Sequence, residues 1–368
     1  METILRAAVE RGASDLHIKA GDVFRARING DLVPLTKQRL SPEQVRGIAL
    51  KLIPLEAERA RIDELADYDC SWGLPGVGRF RVNILRQRGS FGIVMRVIPF
   101  EIPTLEALGL PPVVAEIAAE ERGLVLVTGA TGSGKSSTQA AMIGQMNGGM
   151  RRHVVTLENP IEFLHRDGSC SITQREVGLD TESFRVGLRA ALRQDPDVIL
   201  IGEMRDTESI DIALKAAETG HLVISTLHTR DAAATISRLI AVFPPAEQEM
   251  VRIRLAESLR AVISQRLLPR SDGSGRALAA EVMVVTGTIQ DCILDAERVA
   301  EMRDHIAAGR TTYGMQTFDQ SLMDLVQAGH VDFAAARAAA TNPSDFELKM
   351  NTFSGATGGG GGSDAFGF

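Results

Sequence analysis

The chain has 368 residues, enough for two or three domains with a sizeable core. Hydrophobic residues make up 44% and charged residues 24%, the balance of an ordinary globular protein rather than a disordered or membrane-embedded one. The formal net charge of −7 argues against a protein whose main task is gripping phosphate backbones, so no nucleic-acid partner is expected.

The N-terminus, METILRAAVERGASDLH, carries scattered charges and no apolar core, so it does not read as a secretory signal. Glu2–Arg11 has the pattern of a short amphipathic helix. Strand-like runs follow at 15–19, 24–28, 78–85 and 92–98, and 41–61 reads as helix interrupted at Pro54. The alternation Arg79-Phe80-Arg81-Val82-Asn83-Ile84 suits a half-buried strand. Residues 1–99 therefore read as an α+β domain. A linker over 100–112 follows Pro99 and carries Pro103, Gly109, Pro111 and Pro112.

From Leu124 the pattern changes. Short, nearly all-apolar runs at 124–128, 153–157, 197–201 and 221–226 alternate with helical stretches at 135–146, 183–193, 208–218 and 231–240. Strands apolar on both faces imply a parallel sheet covered on both sides, hence an α/β domain over 113–268. After Pro269 the chain reads as mainly helical (288–294, 298–308, 318–328, 333–340), giving a helical C-terminal region over 269–350. A Gly-rich tail over 351–368 is expected to be flexible. No apolar run approaches the ~18–20 residues of a membrane span. The three cysteines Cys70, Cys170 and Cys292 lie far apart without C-x-x-C spacing. A four-thiolate zinc site and a disulfide framework are not expected, and buried reduced thiols are.

The strongest chemical signal is GATGSGKS at 129–136, which fits the phosphate-binding pattern G-x-x-x-x-G-K-[ST] between a strand and a helix. Gly129, Gly132 and Gly134 allow backbone angles that side chains hinder. The amides of this loop, through Thr131, Ser133 and on to Ser137, can then point at phosphate oxygens ahead of a helix N-terminus. Lys135 is placed to bridge the β- and γ-phosphates and Ser136 to bind Mg²⁺. No N-K-x-D run is present to read guanine, so ATP is the expected nucleotide.

Two acidic elements follow apolar strands. Glu203 ends DVILIGE and is expected beside Ser136, holding Mg²⁺ through water; without the phosphate loop it would be a solvated strand-end glutamate. Glu158 and Glu162 lie in TLENPIEF, with Glu162 the favoured base for the attacking water. His221 and His228 flank the strand HLVISTLH. Their odd spacing argues against a shared metal ion. His228 is placed to meet a γ-phosphate, whereas His221 reads equally well as a packed histidine. Arg79, Arg81, Arg86, Arg88 and Arg96 cluster around two strands of the first domain. They form either a solvated basic face or a source of arginine fingers.

These motifs together, with ASDLHIKAG (13–21), GRFRVN (78–83), DPDVILIGEMRD (195–206), ETGHLVISTLHT (218–229) and GMQTFDQSL (314–322), resemble the retraction ATPases of type IV pili, the PilT-like branch of the secretion ATPases. The resemblance runs from about residue 2 to 350. It implies a PAS-like first domain, a RecA-like ATPase core and a homohexamer with nucleotide at subunit boundaries. Matched onto this chain, Lys135 and Ser136 are the phosphate-loop pair, Glu162 the catalytic base, and Glu203 the Walker B acid. His221 and His228 lie in the histidine box. Arg81 and Arg96 match the arginines that reach the phosphates, with Arg88 a further candidate and Glu158 in support. The implied work is on an inner-membrane pilus platform protein, from the cytoplasmic side, alone or beside a second retraction or assembly ATPase. Where the family's retraction motif reads Ala-Ile-Arg-Asn-Leu-Ile, this chain reads GTIQDCI at 287–293, which leaves an accessory role in retraction open. Asn159 also stands where the acidic box usually carries Asp. Rival readings are a pilus-assembly or type II secretion ATPase, a DNA-translocating RecA-like motor, and a non-hydrolysing scaffold.

Overall fold

The computed structural model describes residues 1–98, 101–204 and 206–357, without the side chains of 353–357; Pro99, Phe100, Arg205 and the tail from 358 to 368 lie outside the described residues. The chain divides into two compact units, Met1–Ile102 with His153–Pro196, and Pro103–Arg152 with Asp197–Phe368.

The first unit opens with α1 (Glu2–Glu10), which buries Leu5 and Ala8, followed by β1 (Ala13–Lys19), β2 (Arg25–Ile28) and β3 (Asp31–Pro34). Next comes α2 (Pro42–Leu52). Ser41 and Gln44 close a capping box at its start and a proline fills its first turn, so both sequence signals for a helix start are met. Pro54 separates α2 from α3 (Glu56–Ala60). Strands β4 (Asp67–Leu74), β5 (Gly78–Gln87) and β6 (Ser90–Ile98) complete a six-stranded sheet of order β3-β2-β1-β6-β5-β4. On β5, Phe80, Val82 and Ile84 are buried while Arg81 faces out, which is the alternation expected of a strand with one covered face. Leu16, Ile18, Ala49, Leu52, Phe80 and Met95 belong to the core beneath that face.

The second unit begins with α4 (Val113–Ala119), β7 (Gly123–Gly129) and α5 (Lys135–Asn147). The chain then returns to the first unit for β8 (His153–Glu158), β9 (Ser171–Glu176) and α6 (Phe184–Ala191); β8 and β9 pair in parallel from His153↔Ser171 to Glu158↔Glu176. Back in the second unit come β10 (Val198–Ile201), α7 (Thr207–Glu218), β11 (Leu222–Leu227), α8 (Ala232–Ala241) and α9 (Gln248–Ser258). Then follow β12 (Leu259–Pro269) and β13 (Arg276–Val284). Its strands run in the order β13-β12-β7-β11-β10. β12, β7, β11 and β10 are mutually parallel and β13 is antiparallel to β12. Every residue of β7, β10 and β11 is buried, as the uninterrupted apolar runs require.

Beyond the hairpin lie α10 (Gly287–Leu294), a 3₁₀ segment (Ala296–Glu301), α11 (Met302–Ala308), α12 (Arg310–Tyr313), α13 (Phe318–Gln327), α14 (Phe333–Ala339) and α15 (Pro343–Thr357). The region after Pro269 thus starts as a strand before it becomes helical. Leu268, Ala277 and Ala279 of the hairpin share a core with Phe318, Leu322 and Phe346 of the helices.

Inside the first unit one buried carboxylate holds several elements. Glu176, at the end of β9 and 5% exposed, accepts hydrogen bonds from Ser71 Oγ of β4 (2.6 Å), Arg79 Nη2 of β5 (2.8 Å) and the amide of Ile161 (3.2 Å). Removing one partner of a buried ion pair leaves a charge without compensation, at a cost of roughly 3–5 kcal/mol. Arg79→Ala is therefore expected to destabilise the first unit by about 3 kcal/mol. Arg81→Ala, which removes an exposed guanidinium with no partner among the described residues, should change stability by less than about 0.5 kcal/mol. Urea unfolding of both variants checks this; equal effects would contradict it.

Candidate active site

The C-terminal ends of β7, β11 and β10 lie side by side in that order because the strands are parallel and in register: Leu227 of β11 sits opposite Thr128 of β7, and Ser225 opposite Ile201 of β10. Each end delivers one predicted group. β7 runs into the phosphate loop, β11 into His228, and β10 into Glu203. A shared edge of strand C-termini is where parallel α/β sheets bind ligands.

The loop from Gly129 to Ser136 turns before α5. Gly129 has φ +140°, and a Cβ there would lie 2.5 Å from the Gln265 carbonyl and 2.6 Å from Ser133 Oγ, so only glycine fits. Gly134, at φ +94°, caps α5 in a left-handed conformation. Lys135 is 8% exposed and folds back over the loop, its Nζ donating to the carbonyls of Gly129 and Ala130, both at 2.9 Å. The Ser133 hydroxyl is buried with no hydrogen-bond partner among the described residues. The loop rests on a polar layer: Thr128 Oγ1 donates to Ser264 Oγ (2.8 Å), and Gln265 Nε2 to Thr138 Oγ1 (2.6 Å). These bonds fix β7 and α5 against β12, and hence the loop between them. None of Thr128, Thr138, Ser264 or Gln265 stood out in the sequence. Their signal is the polar residue that interrupts an apolar run, in LVLVT and again in AVISQ.

His228 Nε2 lies 3.4 Å from Glu203 Oε2. The imidazole is 53% exposed and the carboxylate 17%, so the histidine forms the open side of the pair. Thr226 Oγ1 donates to the Gly202 carbonyl (2.6 Å), tying the end of β11 to the loop that carries Glu203. The half-buried Ser136 hydroxyl and the Glu203 carboxylate are hard oxygen donors of the type Mg²⁺ takes. His221 occupies the other end of β11, where its ring bonds the Ala216 carbonyl (3.0 Å) and Thr219 Oγ1 (3.4 Å). The structure does not bring His221 to the loop edge.

The loop after His228 is anchored on both sides. Asp231 caps α8 through Ala234 N (2.7 Å), Thr229 and Thr235 share a 2.6 Å hydrogen bond, and the Ala232 amide donates to Glu281 Oε1 of β13 (2.9 Å). Burial pushes the Glu281 carboxyl up to about 7, against the stabilising bond from Ala232.

The remaining predicted residues belong to the first unit. Glu158, at the end of β8, accepts from Thr156 Oγ1 (2.7 Å), Gln174 Nε2 (3.1 Å) and the Glu162 amide (3.4 Å). Burial raises its pKa, partly countered by the bonds from Thr156 and Gln174. Glu162 is exposed, four residues on, past a cis Asn159–Pro160 bond. Arg81 and Arg96 face each other across β5 and β6. Arg96 Nε bonds Asp15 Oδ1 (2.9 Å) while the arginine stays 71% exposed. Burial works against ionisation of Asp15, but the bonds from Arg96 and Ser14 outweigh it and hold the carboxyl below its usual value. Arg88 sits apart, in the tight turn between β5 and β6 at φ +48°, roughly 20 Å along the strand from Arg81. Arg79 and Arg86 are internal ties: Arg79 binds Glu176, and Arg86 bonds the carbonyls of Leu65 and Asp63 while stacking on Phe91.

A glycine-rich loop, its lysine and serine, a strand-end acid and a histidine on one parallel edge define a P-loop nucleotide-binding protein. Residues 1–340 match the model of the type II/IV secretion system protein family, and the chain belongs to that family. It is 45% identical over 343 residues to the type IV pilus retraction ATPase PilT of Pseudomonas aeruginosa, covering 93% of this chain and 98% of that protein. It is 43% identical over 351 residues to the type IV pilus ATPase PilU of the same organism, covering 95% and 91%. Among solved structures, the pilus retraction motor PilT with bound ADP superposes with a TM-score of 0.85 at 43% identity, covering 95% of this chain and 99% of that one.

The raised pKa of Glu281 makes stability pH-dependent. Between its ordinary value of 4.5 and about 7 the folded protein keeps a proton that the unfolded chain releases, so stability falls as pH rises through that window. The full loss, reached above pH 7, is on the order of 3 kcal/mol. Glu281→Gln, which keeps the acceptor for Ala232, should flatten the decline between pH 5 and pH 8 in urea unfolding. An unchanged decline would contradict the assignment.

Proposed function

We propose that this chain is an ATP-hydrolysing motor subunit that powers retraction of type IV pili. The observation that carries this reading is the shared edge of Lys135, Ser136, Glu203 and His228 in a chain similar along nearly its whole length to an ADP-bound retraction motor. The loop amides and Lys135 hold the triphosphate. Ser136, and Glu203 through water, would hold Mg²⁺, which when bound would supply positive charge against the phosphates. His228 donates a hydrogen bond to the γ-phosphate. Glu162 draws the proton from the attacking water, and Arg81 and Arg96 supply guanidinium charge to the phosphates as fingers. Glu158, His221 and Arg88 act in support. Residues 1–99 form the PAS-like domain and 113–268 the RecA-like core, joined by the linker at 100–112 and followed by the helical region 269–350 and the tail.

The subunits assemble as a homohexamer in the cytoplasm that acts on the inner-membrane platform protein of the pilus. No helix among the described residues is long and apolar enough to cross a membrane. A pilus-assembly or secretion role is less well supported: the chain is 32% identical to the type II secretion system protein E of Pseudomonas aeruginosa and covers only 66% of it. A second reading, an accessory retraction motor working beside another, is favoured by Gln290 and Asp291 where the retraction motif has Arg and Asn.

Lys135→Ala should weaken ATP binding about 10- to 100-fold, the loss expected for hydrogen bonds to a charged group. Glu162→Gln should bind ATP normally and turn it over about 10²–10⁴ times more slowly. Normal turnover in that variant removes Glu162 from the base role. Deleting the gene and restoring it decides the biological role: hyperpiliated, non-twitching cells indicate retraction, and bald cells overturn it. Normal pili with weakened twitching single out the accessory role.

A further inference from the structure

Outside the nucleotide site, the segment from α10 to α11 gathers three metal-ligating side chains. Cys292 lies near the end of α10, Glu301 closes the 3₁₀ segment, and His305 lies one turn into α11. A sulfur, a carboxylate oxygen and a ring nitrogen from these three all lie within 4.8 Å of one another. Cys292 is fully buried, whereas Glu301 and His305 keep one side open to solvent. The Nε2 atom of His305 is itself buried and makes no hydrogen bond among the described residues. Its nearest acid oxygen, Glu301 Oε2, is 3.9 Å away, beyond hydrogen-bond range. A buried ring nitrogen left without a partner is costly unless something else occupies it.

The chemistry of the donors selects the ion. Thiolate, imidazole and carboxylate together suit Zn²⁺, whereas Mg²⁺ and Ca²⁺ take oxygen sets. In a tetrahedral zinc site donor atoms stand about 3.5 Å apart, so these three need to close by about 1 Å. Three acids, Asp291, Asp295 and Glu301, act electrostatically on Cys292, alongside the cation Arg298. Arg298 Nε bonds Glu301 Oε2 at 3.0 Å, but this pair is solvent-exposed, and exposed ion pairs exchange readily with water and stronger ligands.

We propose that Cys292, Glu301 and His305 form a zinc site, with water as the fourth ligand, that fastens α10 to α11. Coordination replaces the thiol proton, which leaves to solvent as the sulfur–zinc bond forms. The site staples the helix that carries the altered residues Gln290 and Asp291.

The full chain, stripped of metal and kept free of nucleotide, tests this by Co²⁺ titration in excess Mg²⁺. One Co²⁺ per chain should bind with thiolate-to-metal charge-transfer absorption and be displaced by one Zn²⁺. Cys292→Ser should abolish that absorption. His305→Gln and Glu301→Gln, at partly exposed positions that do not threaten the fold, should each weaken Zn²⁺ binding at least about tenfold and remove the rise in melting temperature that Zn²⁺ gives the parent protein. Absorption that survives Cys292→Ser, Zn²⁺ affinity unchanged in His305→Gln, or no Zn²⁺ bound at micromolar concentration overturns the proposal.

Discussion

The constraint on which the rest depends is the parallel register of β7, β11 and β10. Parallel strands end on the same edge, and here that edge receives a phosphate loop, a histidine and an acid from three separate stretches of chain. Antiparallel pairing of any one strand would send its functional residue to the opposite edge, where His221 is found. The buried polar layer of Thr128, Ser264, Gln265 and Thr138 then removes the freedom that remains, because hydrogen bonds in a dry interior are expensive to leave unmade. Lys135 Nζ donates to two carbonyls of its own loop. On the proposed reading, phosphate binding exchanges partners for a charge that is already in place, rather than recruiting a distant side chain.

The first unit shows a different economy. Its sheet carries Arg79, Arg81 and Arg96 on one face and Arg86 on the other, and their fates diverge by neighbour. Arg79 is consumed by Glu176 and Arg86 by backbone carbonyls and an aromatic ring. Arg96 shares an acid and remains mostly exposed, and Arg81, opposite it, has no partner among the described residues. Two guanidinium groups on adjacent strands repel each other, a tension that a bound anion relieves. The acidic segment is equally divided: Glu158 is buried and committed to Thr156 and Gln174, whereas Glu162 is exposed.

Much of this was legible in the sequence. The phosphate loop announced itself through glycines at fixed spacing, and β7, β10 and β11 through apolar runs that only a doubly covered strand tolerates. Some of what escaped was polar or short. The β9 run SITQRE has no apolar alternation, and β3 spans four residues ending in proline. The β13 run RALAAEVMV is rich in alanine and reads as helix, yet it pairs with β12 from Ala261↔Val284 to Pro269↔Arg276. Tertiary pairing outweighed local preference there. The spread of arginines could be counted from the sequence. Which ones were already partnered could not, because their partners are distant in sequence: Glu176 lies 97 residues from Arg79, and the Leu65 and Asp63 carbonyls lie 21 and 23 residues from Arg86.

The central claim is that the cradle at the end of β7 binds the triphosphate. Crystallography of the chain with Mg²⁺ and a non-hydrolysable ATP analogue tests it most directly. The account predicts that Lys135 Nζ leaves the carbonyls of Gly129 and Ala130 for phosphate oxygens, with His228 and Glu203 at the γ-phosphate end. Nucleotide bound elsewhere, or a lysine still resting on its own loop beneath bound nucleotide, would contradict it.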